Sequence, residues 1–207
     1  MTKIKICGLY RPEDIEYVNH AQPDWCGFVI NFPKSHRSVT PDQVRQLRAG
    51  LSRHIRPVGV FVDQPPEEVA ALLNDGTLAA AQLHGHEDEG YIARLCSLTR
   101  GHPMWPGYEI WKAFKVRSQA DLDAANASSA DMVLLDNGYG TGETFDWSLA
   151  GGVKRPFLLA GGLTPENIPD AIEQLHPYGL DISSGVETDK KKDLSKILAA
   201  VAAAREE

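Results

Sequence analysis

The sequence is poor in cysteine, in long apolar runs and in positive charge. Its three cysteines, Cys7, Cys26 and Cys96, are scattered, with no CxxC pair and no histidine at metal-ligand spacing. Such thiols exclude a disulfide framework and suit a reducing, cytoplasmic setting. No stretch approaches the roughly 20 apolar residues that a membrane span needs. Met1-Thr2-Lys3-Ile4-Lys5 enters a β-like run without the apolar core of a signal peptide. Lysine and arginine number 21 against 28 acidic residues, a formal net charge of -7. That balance argues against a nucleic-acid surface, yet a few backbone N–H groups still suffice to hold phosphate. No metal is expected, because His20, His54, His86, His102 and His176 fall into no ligand arrangement. The early strand also lacks a GxGxxG turn, which counts against an open doubly wound sheet.

What is present is one repeating pattern of a short apolar run, a loop and a longer amphipathic segment. The predicted strands are Ile4–Cys7, Trp25–Ile30, Pro57–Val62, Ala79–Leu83, Glu109–Phe114, Met132–Leu135, Phe157–Ala160 and Leu180–Ile182. Most are apolar throughout, as strands covered on both faces are. Helices are expected to open at Pro12-Glu13-Asp14, Thr40-Pro41-Asp42, Pro65-Pro66-Glu67-Glu68 and Thr164-Pro165-Glu166. A weak helix is expected at Asp146 to Leu149. A last one, Asp193 to Ala204, carries Leu194, Ile197, Leu198 and Val201 on one stripe. Eight near-equal units in 207 residues predict one domain, a single α/β (β/α)8 TIM barrel. Thr99 to Tyr108 reads as a loop on the far face, and Lys190-Lys191-Lys192 as a solvated loop.

Catalysis in such a barrel gathers at the carboxyl ends of the strands. Cys7 ends the first strand and faces the mouth, although a buried, inert thiol fits the same position. Asp136 ends the sixth, and desolvation by Val133-Leu134-Leu135 suits it to general acid work. Asn137-Gly138 directly after it also fits a plain turn aspartate. The stretch from Gly138 to Gly142 reads as a loop able to close over a ligand. Gly161 and Gly162 close strand seven, and Asp181-Ile182-Ser183-Ser184-Gly185 closes strand eight. These two loops predict a phosphate site, with Ser183, Ser184 and Gly185 as donors at the start of a short extra helix. Arg37, after strand two, is a candidate two-pronged grip for a carboxylate or an ordinary surface arginine. His84 ends strand four, and it and Asp181 are candidates to line the site.

The motifs Lys5-Ile6-Cys7-Gly8, Pro33-Lys34-Ser35-His36-Arg37, Gln82-Leu83-His84-Gly85, Leu134-Leu135-Asp136, Thr144-Phe145-Asp146-Trp147, Ala160-Gly161-Gly162-Leu163 and Asp181-Ile182-Ser183-Ser184-Gly185-Val186-Glu187 stand in order along the chain. Together they resemble the phosphoribosylanthranilate isomerase family of tryptophan biosynthesis. The resemblance implies an Amadori rearrangement of N-(5-phosphoribosyl)anthranilate to 1-(2-carboxyphenylamino)-1-deoxyribulose 5-phosphate, the third step from chorismate. It implies Asp136 as general acid, Cys7 as general base, and Arg37 on the anthranilate carboxylate. The backbones around Gly161, Gly162, Ser184 and Gly185 would hold the phosphate, and a nearby cation would lower the thiol's pKa. The partner is a small phosphorylated substrate, in a monomer or homodimer, with neither nucleic acid nor membrane, and the resemblance implies no cofactor, because the hydrogen moves within one molecule. The related aminoaldose isomerase of histidine biosynthesis would end its first strand in a carboxylate, which Cys7 disfavours. A non-catalytic phosphometabolite-binding barrel needs neither Cys7 nor Asp136. Thr188-Asp189-Lys190-Lys191-Lys192 departs from the pattern in lacking a glycine before Lys192-Asp193.

Overall fold

The computed structural model describes residues 1–136 and 151–206. The expected loop Gly138 to Gly142, the helix Asp146 to Leu149 and the Thr144–Trp147 motif lie outside the described residues. Eight parallel strands form the barrel: β1 (Lys3–Cys7), β2 (Trp25–Ile30), β3 (Arg56–Phe61), β4 (Ala80–Leu83), β5 (Glu109–Lys115), β6 (Met132–Asp136), β7 (Phe157–Ala160) and β8 (Gly179–Ile182). Each pairs with its neighbour in chain order, and β1 pairs with both β2 and β8, which closes the barrel. The described helices are α1 (Pro12–Ala21), α2 (Pro41–Ala49), α3 (Pro66–Asn74), α4 (Glu89–Leu98), α5 (Gln119–Ala127), α6 (Ile168–Leu175) and α7 (Leu194–Arg205).

Local chemistry starts and stops these elements. Thr40 caps α2 by accepting from the Gln43 backbone, while the Gln43 side chain accepts from the Thr40 backbone at 2.8 Å, with Pro41 just inside. Asp14 plays the equivalent role for α1, accepting from the backbone N–H groups of Tyr10 and Arg11 at 3.0 Å each. The helix expected at Thr164 instead begins at Ile168, because residues 165–167 form a turn. Asn167 closes that turn: its side chain accepts from Thr164 N at 2.8 Å and donates to Gly162 O at 2.9 Å. In α7 the buried residues are Ile197, Ala200, Val201 and Ala204, whereas Leu198 faces outward and Leu194 is only half-buried. Ile197 and Val201 of the expected stripe thus face the barrel together with Ala200 and Ala204, and the two leucines do not.

Alternation along the strands separates two cores. Ile4, Ile6, Phe28, Leu83, Val133, Leu135 and Leu159 point outward and pack with the helices. Trp25, Val58, Ala80, Trp111, Met132, Leu134, Leu158 and Ala160 form a second cluster within the barrel, where the Trp25 and Trp111 rings meet edge to face at 5.4 Å. The Thr99–Tyr108 segment precedes β5, at the amino end of the strands. Among the described residues no helix is long and apolar enough to cross a membrane.

Candidate active site

A cavity of about 340 Å³ opens at the carboxyl ends of the strands. Cys7, Arg37, His84, Asp136, Gly161, Gly162, Asp181, Ser183 and Ser184 all line it, so the fold gathers these expected residues from six strand ends or the loops that follow. Gly185 is not among the lining residues, but it decides how two loops meet. A Cβ on Gly185 would stand 1.9 Å from the carbonyl oxygen of Leu163, so only glycine lets the β8 loop lie against the β7 loop. Gly161 and Gly162 adopt left-handed φ of 89° and 67°. Ser184–Val186 is the short extra helix, a single 3₁₀ turn. A larger cleft, about 410 Å³, lies at the amino ends of the strands under Arg48 and Trp105. Its lining has no thiol, carboxylate or imidazole, so it offers nothing for acid–base work.

Asp136 is half-buried and is met by His84 Nε2 at 3.2 Å from Oδ2. The amide nitrogen of Gln82 lies 3.0 Å from the other ring nitrogen. With that amide donating to Nδ1, Nε2 is the ring nitrogen left to donate to Asp136. Gln82 is 1% exposed, a polar side chain buried within an otherwise apolar strand.

Arg37 is already engaged. Its Nε and Nη2 donate to the two oxygens of Glu187, both at 2.7 Å, in a bidentate pair. This bond raises the Arg37 pKa against the effect of burial. Any further acceptor must therefore use the guanidinium edge that Glu187 leaves, with Glu187 holding the fork in place. Glu187 is also met by Lys192 Nζ at 2.8 Å. Burial pushes the Glu187 carboxyl up, but Arg37 and Lys192 outweigh it and hold its pKa below the usual range.

Lys192 corrects the sequence expectation of a solvated basic run. Its side chain is wholly buried, donating to Ser183 O at 2.9 Å as well as to Glu187. The antiparallel ribbon formed by Glu187–Thr188 and Lys191–Lys192 turns it inward while Lys191 stays exposed. Burial lowers its pKa, and Glu187 offsets this only in part. A two-residue alternation in so short a ribbon left no periodic signal.

Cys7 is 8% exposed, on the cavity wall. Its pKa is raised, not lowered as expected: burial and Asp181 push it up, and Lys5 and Lys192 pull it down by less. The resting side chain is the thiol. Among the described residues no group of three or more His, Cys, Asp or Glu is placed to hold a metal ion.

The family profile for N-(5'phosphoribosyl)anthranilate (PRA) isomerase matches residues 4–203. The chain belongs to this family. It is thus an isomerase of the tryptophan-pathway type, and its relatives agree with the barrel geometry. A chain named N-(5'-phosphoribosyl)anthranilate isomerase from Acetivibrio thermocellus is 42% identical over 205 residues, covering 95% of this chain and 93% of that one. The same family's crystal structure from Thermotoga maritima superposes with a TM-score of 0.84 at 33% identity, covering 99% of each chain. A structure of the family in complex with reduced 1-(o-carboxyphenylamino)-1-deoxyribulose 5-phosphate gives 0.82 at 32% identity, again over 99% of each.

Proposed function

We propose that this chain, acting as one barrel domain, converts N-(5-phosphoribosyl)anthranilate to 1-(2-carboxyphenylamino)-1-deoxyribulose 5-phosphate, with Asp136 as general acid and Cys7 as general base. The observation that carries the reading is that a thiol and a carboxyl share one cavity with an arginine and two glycine-bearing loops. Asp136 protonates the furanose oxygen, and the ring opens to a Schiff base. Cys7, as thiolate, takes the C2′ proton, and the electron pair of that C–H bond forms the enolamine, which tautomerises to the ketone. His84 holds the Asp136 carboxyl in line. Arg37, steadied by Glu187, receives the anthranilate carboxylate. Gly161, Gly162, Ser183, Ser184 and Gly185 receive the phosphate through backbone N–H groups and hydroxyls. The relative with a bound reduced product analogue supports a ligand of this chemistry. The hydrogen moves within one molecule, so the scheme uses no cofactor.

The test is the loss of substrate fluorescence when phosphoribosylanthranilate is formed in place from anthranilate and phosphoribosyl pyrophosphate. Wild type should consume it, and Cys7→Ser should lose roughly 100-fold or more, because a hydroxyl is a poor base at neutral pH. Asp136→Asn should fall comparably. Absence of consumption by folded wild type would overturn the reading.

A further inference from the structure

Beneath Cys7 lies an ion pair to which the isomerisation scheme gives no task. Lys5 stands two residues before Cys7 on β1, so both side chains leave the same face of the strand. Lys5 is fully buried, and its ammonium lies 2.8 Å from Asp181 on β8, whose side chain is 8% exposed. A lysine of this kind is costly inside a barrel unless its charge has work to do. Gly27 lies opposite Cys7 on β2. A Cβ there would stand 2.7 Å from the sulfur and 3.1 Å from the Lys5 nitrogen, so the bare backbone leaves room for both to converge. The Lys5 ammonium and the Cys7 sulfur thus sit beside one another and interact electrostatically.

The charged and titratable groups that face this sulfur come from every neighbouring element. They are Lys5 on its own strand, Asp181 on β8, Cys26 on β2, Arg37 from the loop after β2, and Lys192 from the ribbon, with Glu187 pairing the last two. Three cations thus face two carboxylates, and the surplus positive charge favours the thiolate of Cys7 when it forms.

We propose that Lys5, fixed by Asp181, is a positioning residue that stabilises the thiolate of Cys7 and so makes this cysteine a base. The assignment rests on the role of Cys7 given above. In the step it serves, the substrate C–H bond breaks and an S–H bond forms. Lys5 keeps its own protons throughout, and its partner changes from thiolate to thiol. Burial favours the neutral amine, but Asp181 and Cys7 together hold Lys5 charged. The two members of the pair act on Cys7 in opposite senses, since Lys5 attracts the thiolate and Asp181 repels it.

The test is the pH dependence of iodoacetamide alkylation in a Cys96→Ser background. Cys26 is fully buried there, which leaves Cys7 as the reacting thiol. Lys5→Met should move the alkylation midpoint up by about one pH unit or more, and Asp181→Asn should move it down by a similar amount. Turnover by Lys5→Met should fall about tenfold at neutral pH, with KM unchanged within twofold, and should recover as pH rises. If Lys5→Met fails to fold because Asp181 is left unpaired, Asp181→Asn decides alone. A wild-type midpoint in the folded variants overturns the proposal. The alkylation needs no substrate. Shifted midpoints in an enzyme that leaves phosphoribosylanthranilate untouched would sink the isomerase reading and leave the coupling of Lys5 to Cys7 standing.

Discussion

Glu187 stands between two cations, Arg37 at 2.7 Å and Lys192 at 2.8 Å, and its side chain is 6% exposed. Its folded pKa is held below the usual carboxylate value of about 4.3. The folded state therefore binds fewer protons here than the unfolded chain, and the stabilisation is present above that value and lost as pH falls below it. Glu187→Gln should remove this dependence. At pH 7 the variant should be less stable by about 3–5 kcal/mol, since Lys192 is left buried without its carboxylate. Between about pH 5 and 3 the gap to wild type should narrow. Urea unfolding at the two pH values checks it, and parallel curves would contradict it. At this scale the sequence was readable in part. Cys7, Asp136, Arg37 and His84 stand at strand ends that can be counted. Lys5, Gln82 and Lys192 were missed, because each lies within a run whose neighbours all look apolar or all look basic.

At the scale of elements, caps and turns are local and were largely visible. Pro41 and the Thr40 capping box lie within four residues of one another. The start of α6 was misjudged because Thr164-Pro165-Glu166 has the composition of a helix opening. The side chain of Asn167 stabilises a turn there instead, tying it to Gly162. The outward turn of Leu198 has a related cause: α7 packs through Ile197, Ala200, Val201 and Ala204. The junction of the β7 and β8 loops can be tested through Gly185→Ala. The added methyl meets the Leu163 carbonyl, a backbone atom with little room to give. Overpacking of this kind costs about 1–3 kcal/mol. Spread over the two loops proposed to receive the phosphate, it should weaken inhibition by inorganic phosphate roughly 5- to 150-fold. Unchanged inhibition, with an unchanged melting temperature, would show that the loops do not depend on that contact.

At the scale of the molecule, the barrel is filled rather than hollow. Trp111 is completely buried within it, against Trp25. Trp111→Ala should cost about 3–5 kcal/mol, combining lost transfer energy with an unfilled cavity. For a chain of this length each kcal/mol lowers the melting temperature by about 2–4 °C. A loss in the range of about 6–20 °C is therefore expected, and thermal unfolding monitored by circular dichroism would show it. A loss of about 2 °C or less would mean that the neighbouring side chains collapse into the space.

The sequence by itself determined the eight strands, their order, the parallel barrel they close into, and the strand ends where chemistry gathers. Those properties follow from apolar runs, alternating helices and caps, which act over a few residues and leave a local trace. Only the tertiary structure decided which charges meet. Lys5 finds Asp181 across 176 positions, Arg37 finds Glu187 across 150, and His84 finds Asp136 across 52. Such pairs have no period along the chain. They form because barrel closure brings distant strand ends to one point and burial leaves each charge needing a partner.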